Sequence, residues 1–129
     1  PRRGGIDVAS LENGNVVINE AKFVTPPNRL QTSDFTAINA NLRSNLQELL
    51  NHAKNPALTP ELSAADRTLV VSAIESYLKT GVAPANLRIR VTVSSPGGTI
   101  GDVLGPNVRN SVTNNAGGIP TEFVEFRGN

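Results

Sequence analysis

The stretch GGIDVASLENGNVVINEAKF, residues 4–23, decides how the rest of the chain is read. Asn13-Gly14 sits between two apolar-rich runs. Asn-Gly is the strongest short turn signal because both residues tolerate positive φ, so the spacing predicts a β-hairpin with strands from Gly4 to Leu11 and from Val16 to Val24. Alternation along the second strand places Val16, Ile18, Glu20, Lys22 and Val24 on one face and Val17, Asn19, Ala21 and Phe23 on the other. A carboxylate and an ammonium therefore project the same way from a strand that is otherwise apolar apart from Asn19. Ionisable groups in a central apolar strand demand a partner. Pro26-Pro27 cannot continue a ladder and ends the strand.

Beyond the hairpin, Thr32-Ser33-Asp34 supplies N-cap residue types ahead of Phe35, Ile38, Leu42, Leu46 and Leu49, spaced by three and four. This predicts an amphipathic helix from about Ser33 to Lys54. A second helix follows Thr59-Pro60 or Ser63, where Ser63 and Asp66 have capping-box spacing; it carries Leu69, Val70, Ala73, Ile74, Tyr77 and Leu78 and stops at Gly81. NLRIRVTVSS, residues 86–95, alternates Leu87, Ile89, Val91 and Val93 against Arg88, Arg90 and Thr92, the pattern of a strand. Residues 96–120 are rich in Gly, Asn and Pro and predict a long, partner-facing loop with at most a short strand or turn around Ile100 to Leu104. Thr121 to Phe126 forms a last strand. The expected fold class is α/β of the mixed α+β kind: a small mixed central sheet of about four strands with two helices packed on it.

Composition bounds the function. At 129 residues the chain is a single domain, 1–129, able to bury roughly two-thirds of its unfolded surface. Hydrophobic content of 38% against 18% charged residues is that of a globular protein rather than a disordered one. No apolar run approaches the ~20 residues that cross a bilayer, so no membrane span is expected in this domain, and no signal-peptide pattern is found. The absence of Cys excludes disulfides and thiolate metal sites, and a single His with no Cys excludes a structural zinc site. Met is absent even at position 1, so a chain that begins PRRGG is expected to be a C-terminal fragment of a larger protein. The net charge of +1 leaves the question of a nucleic-acid partner to the placement of charge. Four Phe and one Tyr argue against a single-strand binder built on base stacking and for a protein that grips the backbone.

Asp7, a short connection, then Glu20-Ala21-Lys22 in a hydrophobic strand resembles the D…(D/E)xK signature of the PD-(D/E)xK, or restriction-endonuclease-like, phosphodiesterases. The long helix and later strand that follow agree with that family's order of elements over about the first hundred residues; the motif itself covers residues 4–23. Ile6 stands where the family's usual Pro precedes the first Asp. With six residues ahead of Asp7, the family's first helix has no counterpart. The resemblance implies a metal-dependent nuclease in which Asp7 and Glu20, with the backbone carbonyl of Ala21, hold Mg²⁺ or another divalent cation such as Mn²⁺, and Lys22 is catalytic. The chemistry suits the spacing: phosphodiester hydrolysis needs charge stabilisation at the phosphoryl oxygens and a hydroxide-like nucleophile near neutral pH, and a hard cation on carboxylates supplies both. Lys22 would orient or deprotonate the attacking water and offset the developing charge. Neither Glu20 nor Lys22 is expected to anchor the core.

Some relatives carry a Gln or a basic residue on this helix that contacts phosphate or the attacking water, and Arg43 and Gln47 are the candidates for that role; Arg88 and Arg90 form either a second substrate-binding strip or a pair that blunts a sheet edge. A small Cys-free nuclease of this style resembles the C-terminal toxin modules of bacterial contact-dependent inhibition and polymorphic toxin systems. That likeness implies export as part of a larger protein, action in the cytoplasm of the target cell on tRNA or DNA, and a cognate immunity protein. Two other classes stay open. One is a metal-independent ribonuclease toxin using His52; the other is a noncatalytic interaction module in which Glu20 and Lys22 are an ordinary ion pair and the Gly/Asn-rich loop binds a protein.

Overall fold

The structure, a computed structural model, describes residues 8–126. Strand β1 (Val8–Glu12) pairs antiparallel with β2 (Asn15–Phe23), joined by Asn13 and Gly14 at φ 54° and 82°. Positive φ at both turn positions is what a two-residue hairpin requires, which is why Asn-Gly stands there. After a short 3₁₀ turn (Thr32–Phe35) come helices α1 (Thr36–Asn39), α2 (Leu42–Lys54) and α3 (Ala64–Thr80), then β3 (Leu87–Ser94), α4 (Ile100–Val103), α5 (Pro106–Asn114) and β4 (Thr121–Phe126). The sheet order is β1-β2-β3-β4, with β3 parallel to β2 and β4 parallel to β3. The fold is therefore a mixed α/β domain on a four-stranded mixed sheet, as the sequence pattern predicts.

Two successive parallel crossovers step across the sheet in the same direction, and the right-handed rule for such connections puts their helices on one side. The core reflects this. Val16, Ile18, Leu87, Ile89, Val91 and Val93 join Phe35, Ile38, Leu46, Leu50, Val70 and Ile74 of the helical layer in one buried cluster. The sheet's other face carries Ser10, Glu12, Val17, Asn19, Arg88, Arg90, Glu122, Val124 and two outward phenylalanines, Phe23 and Phe126; Val17 is buried there, and the two phenylalanines at the strand ends are exposed.

α3 begins and ends where its capping residues dictate. The Ser63 hydroxyl accepts from the Asp66 N–H at 3.1 Å, and Gly81 closes the helix at φ 75°. The loop ahead of α3 is fastened by Arg67, which donates to the carbonyls of Ala53, Thr59 and Leu62 and to the Thr59 hydroxyl.

Two segments differ from the sequence-based expectation. The single helix expected from Ser33 to Lys54 is broken at Ala40–Asn41, where both N–H groups converge on the Thr36 carbonyl. Asn and Ser side chains compete with the backbone for hydrogen bonds, and they do so here: Asn39 donates to the Thr32 carbonyl, Asn45 to that of Ala37 and Ser44 to that of Asn41. The expected long loop between residues 96 and 120 contains α4 and α5. Pro106 occupies the first turn of α5, where its missing N–H costs nothing, and the four-residue spacing of Val108 and Val112 is enough to seat that helix.

Candidate active site

Glu20 and Lys22 fall on the helix-covered face of β2, opposite Val91 and Val93 of β3. Glu20 is 2% exposed, and its Oε2 lies 3.4 Å from the Lys22 Nζ. The Lys22 side chain is 24% exposed, and its ammonium stands 5.5 Å from the centroid of the Phe35 ring. Removing a carboxylate from water costs several kcal/mol unless a cation and hydrogen bonds compensate, and the ammonium supplies that charge. The aromatic face adds a cation–π attraction that fixes the lysine's position. The 3₁₀ turn thus places Phe35 so that Lys22 bridges a buried carboxylate and the solvent side of the site. Glu20 belongs to the core layer, which departs from the expectation that neither residue anchors the core.

Ala21 lies between them on the opposite, exposed face. Asp7, the remaining residue of the motif, lies outside the described residues. Glu20 and a backbone carbonyl are oxygen donors, the kind that hard divalent cations take, so the donor chemistry of the described part fits Mg²⁺ or Mn²⁺. Among the described residues no three acidic or histidine side chains converge into a metal-holding group.

The parallel strands end together. Phe23, Ser94 and Phe126 form one cross-strand row, and beyond it lies a cleft of about 380 Å³ lined by these three residues together with Ser95, Pro96, Gly97, Gly98 and Glu125. Glu125 is a residue that sequence reading passed over. It shares a row with Lys22 across Val93, so the two Cα atoms are roughly 10 Å apart, and its carboxylate accepts the Ile100 N–H at 3.2 Å. The signal was present: alternation in β4 puts Thr121, Phe123 and Glu125 on the face that Glu20 occupies in β2.

The other predicted site residues are not brought to Glu20 and Lys22. Arg43 donates to the Leu78 carbonyl near the end of α3 and lies 5.9 Å from the Tyr77 ring, so it ties α2 to α3. Gln47 donates to Asn51 at 3.1 Å and lines a shallow groove between the same two helices. Arg88 and Arg90 sit on the opposite sheet face. Arg90 is engaged there by carboxylates, donating to Glu12 at 2.6 and 2.8 Å and to Glu122 at 2.5 Å. The hydrogen-bonded guanidinium holds the Glu12 carboxyl below its ordinary value, and the two carboxylates hold Arg90 above its own. His52 lies in the last turn of α2, where its backbone carbonyl accepts from Asn55 and from the Thr59 hydroxyl.

No family model, curated protein or solved structure matches this chain.

Proposed function

We propose that the chain is a metal-dependent phosphodiesterase that cleaves nucleic acid, tRNA or DNA, and that it serves as the exported toxin module of a larger bacterial protein, acting in the target cell and neutralised by a cognate immunity protein. The observation that carries this reading is the Glu20–Lys22 pair: a carboxylate and an ammonium 3.4 Å apart, on one face near the carboxyl end of a central parallel strand. Enzymes on parallel sheets place their reacting groups at that end.

Glu20, the Ala21 carbonyl and Asp7 are the groups that would hold the cation. When bound, a hard divalent ion supplies charge stabilisation at the phosphoryl oxygens and a water acidified toward neutral pH. Lys22, the more exposed of the pair, would donate to that water or to a phosphate oxygen and offset negative charge as it builds. Phe35 limits the directions in which its ammonium can point.

The test is incubation of the purified chain with plasmid DNA and with total tRNA, in Mg²⁺ and in chelator, beside the Glu20→Gln and Lys22→Met variants. Cleavage is expected in Mg²⁺ only, and each variant is expected to lose roughly a hundredfold or more of the rate while remaining folded by circular dichroism at the assay temperature. Cleavage that survives chelation, or a folded Lys22→Met protein with full activity, overturns the assignment. The depth of Glu20 favours one second reading, in which the pair only closes the core of a noncatalytic interaction module. That reading expects no cleavage of either substrate with any metal.

A further inference from the structure

The row that ends the parallel strands sets two phenylalanines on the open face of the sheet, one strand apart. Phe23 and Phe126 are 71% and 56% exposed, and Ser94 lies between them. Exposed apolar side chains gathered into one patch mark interaction surfaces. Neighbouring strands are about 4.8 Å apart, so the two Cα atoms stand roughly 9–10 Å from each other. Aromatic rings stack at centroid separations of about 4.5–7 Å, so a pair standing this far apart leaves room for one flat ring between them. The cleft at this position, about 380 Å³, lies within the range of about 300–1,000 Å³ that small-molecule sites occupy.

Its walls are polar where a planar heterocycle has polar edges. Ser94 forms the floor between the rings, and Ser95 lines the same cleft with a buried hydroxyl that has no hydrogen-bond partner among the described residues. A ligand edge with a donor or acceptor would satisfy it. The backbone at Gly97 takes φ 81°, and a Cβ at Gly98 would stand 2.7 Å from the Pro26 ring, so this turn is held close against the strand ends by glycines that nothing larger replaces without strain.

We propose that Phe23 and Phe126 clamp one unstacked nucleobase of a single-stranded segment, so that the substrate is single-stranded or presents a flipped-out base. The identity of the ligand rests on the nucleic-acid reading above; the slot itself does not. Base–aromatic stacking tolerates any sequence because every base has a π-face. Among the described residues phosphate contacts contribute little at the clamp itself, since Arg90 is engaged by Glu12 and Glu122, and Arg88, exposed on the same face, stands at the far end of β3 from Ser94. Glu125 lines the cleft from the side that carries Glu20 and Lys22, so a strand held by the clamp runs past the end of β2 toward the candidate catalytic pair.

The experiment uses a twelve-nucleotide single strand carrying one 2-aminopurine, whose emission is quenched on stacking, titrated with the whole chain in chelator so that cleavage plays no part. The expected result is quenching on binding that changes little between low and moderate salt, because few counterions are released. Phe23→Ala and Phe126→Ala are each expected to weaken binding roughly 5- to 150-fold and to restore emission, with Phe23→Leu behaving like the alanine variant and the melting temperature unchanged. A perfectly paired duplex should bind far more weakly than the single strand. Equal binding of duplex and single strand, quenching that survives in both alanine variants, or binding of a proline-rich peptide without any binding of the oligonucleotide overturns the clamp. Stacking without Mg²⁺-dependent cleavage leaves the clamp standing and removes the nuclease; cleavage without quenching does the reverse.

Discussion

The two faces of the sheet use the same residue types to opposite ends. On the helix-covered face a charged pair is buried: Glu20 is sealed at 2% exposure with Lys22 as its cation and Phe35, fully buried, laid against that lysine. On the open face charges stay wet, Arg90 stretching between Glu12 and Glu122, while Phe23 and Phe126 stand in solvent. A buried ion pair forfeits hydration that a surface pair keeps, and a surface phenylalanine forfeits the burial that stabilises a core one. Each face therefore holds groups whose placement packing energy alone does not favour, and these are the groups assigned to function here.

Substitutions that exchange the two environments break or sharpen this contrast. The largest effect is expected for Phe35→Ala, at about 3–5 kcal/mol by chemical denaturation, because a fully buried ring is lost along with the lysine's aromatic neighbour. Lys22→Ala comes next, at about 1–3 kcal/mol: it leaves the Glu20 carboxylate without its ammonium, and the figure is kept below that of a sealed pair because Lys22 is partly solvated. A Lys22→Ala protein as stable as the parent at pH 7 contradicts the buried-pair description.

A smaller effect, visible in its pH dependence, is expected at Arg90. The Glu12 carboxyl is held below its ordinary value of 4.5 by the Arg90 hydrogen bond, so this contribution is fully present above that pH and fades as pH falls through the lowered value. Arg90→Gln should be less stable than the parent at pH 7, and thermal melts from pH 7 to pH 2 should show the gap closing below about 4.5. A gap that stays constant across that range removes Glu12 as its source. The smallest effect belongs to Phe23→Ala, expected within about 0.5 kcal/mol of the parent although it deletes the same ring as the first variant. Set beside Phe35→Ala, it measures the difference between the faces with one side chain.

Much of the fold was legible because local chemistry agreed with the global pattern. Asn13-Gly14 specifies its turn, Ser63 and Gly81 delimit α3, and the alternation at residues 87–94 specifies a strand whose apolar side is buried at every position. The co-facial placement of Glu20 and Lys22 followed from a period of two. What period two cannot give is which face is covered, since that depends on crossovers distant in sequence; the depth of Glu20 and the exposure of Phe23 both turn on it. The helices within 96–120 were hidden by Gly, Asn and Pro, residues that read as loop but here also cap: Thr99 and Asp102 close a reciprocal cap on α4, and Gly105-Pro106 starts α5. The break at Ala40–Asn41 was hidden because the apolar spacing of Ile38 and Leu42 runs across it. The low count of aromatics argued against stacking, yet a count carries no positions, and two of the four phenylalanines share one row at the strand ends.

The central claim is that the carboxyl end of β2 holds a divalent cation beside Lys22. It is tested most directly by titrating Mn²⁺ into the isotopically labelled chain and reading paramagnetic broadening of the amide signals. The account predicts that Glu20, Ala21 and Lys22 broaden first, at sub-stoichiometric Mn²⁺, that Mg²⁺ competes the effect away, and that Glu20→Gln abolishes it. Broadening that begins at the exposed carboxylates of Glu12 or Glu122 and leaves β2 sharp would contradict it.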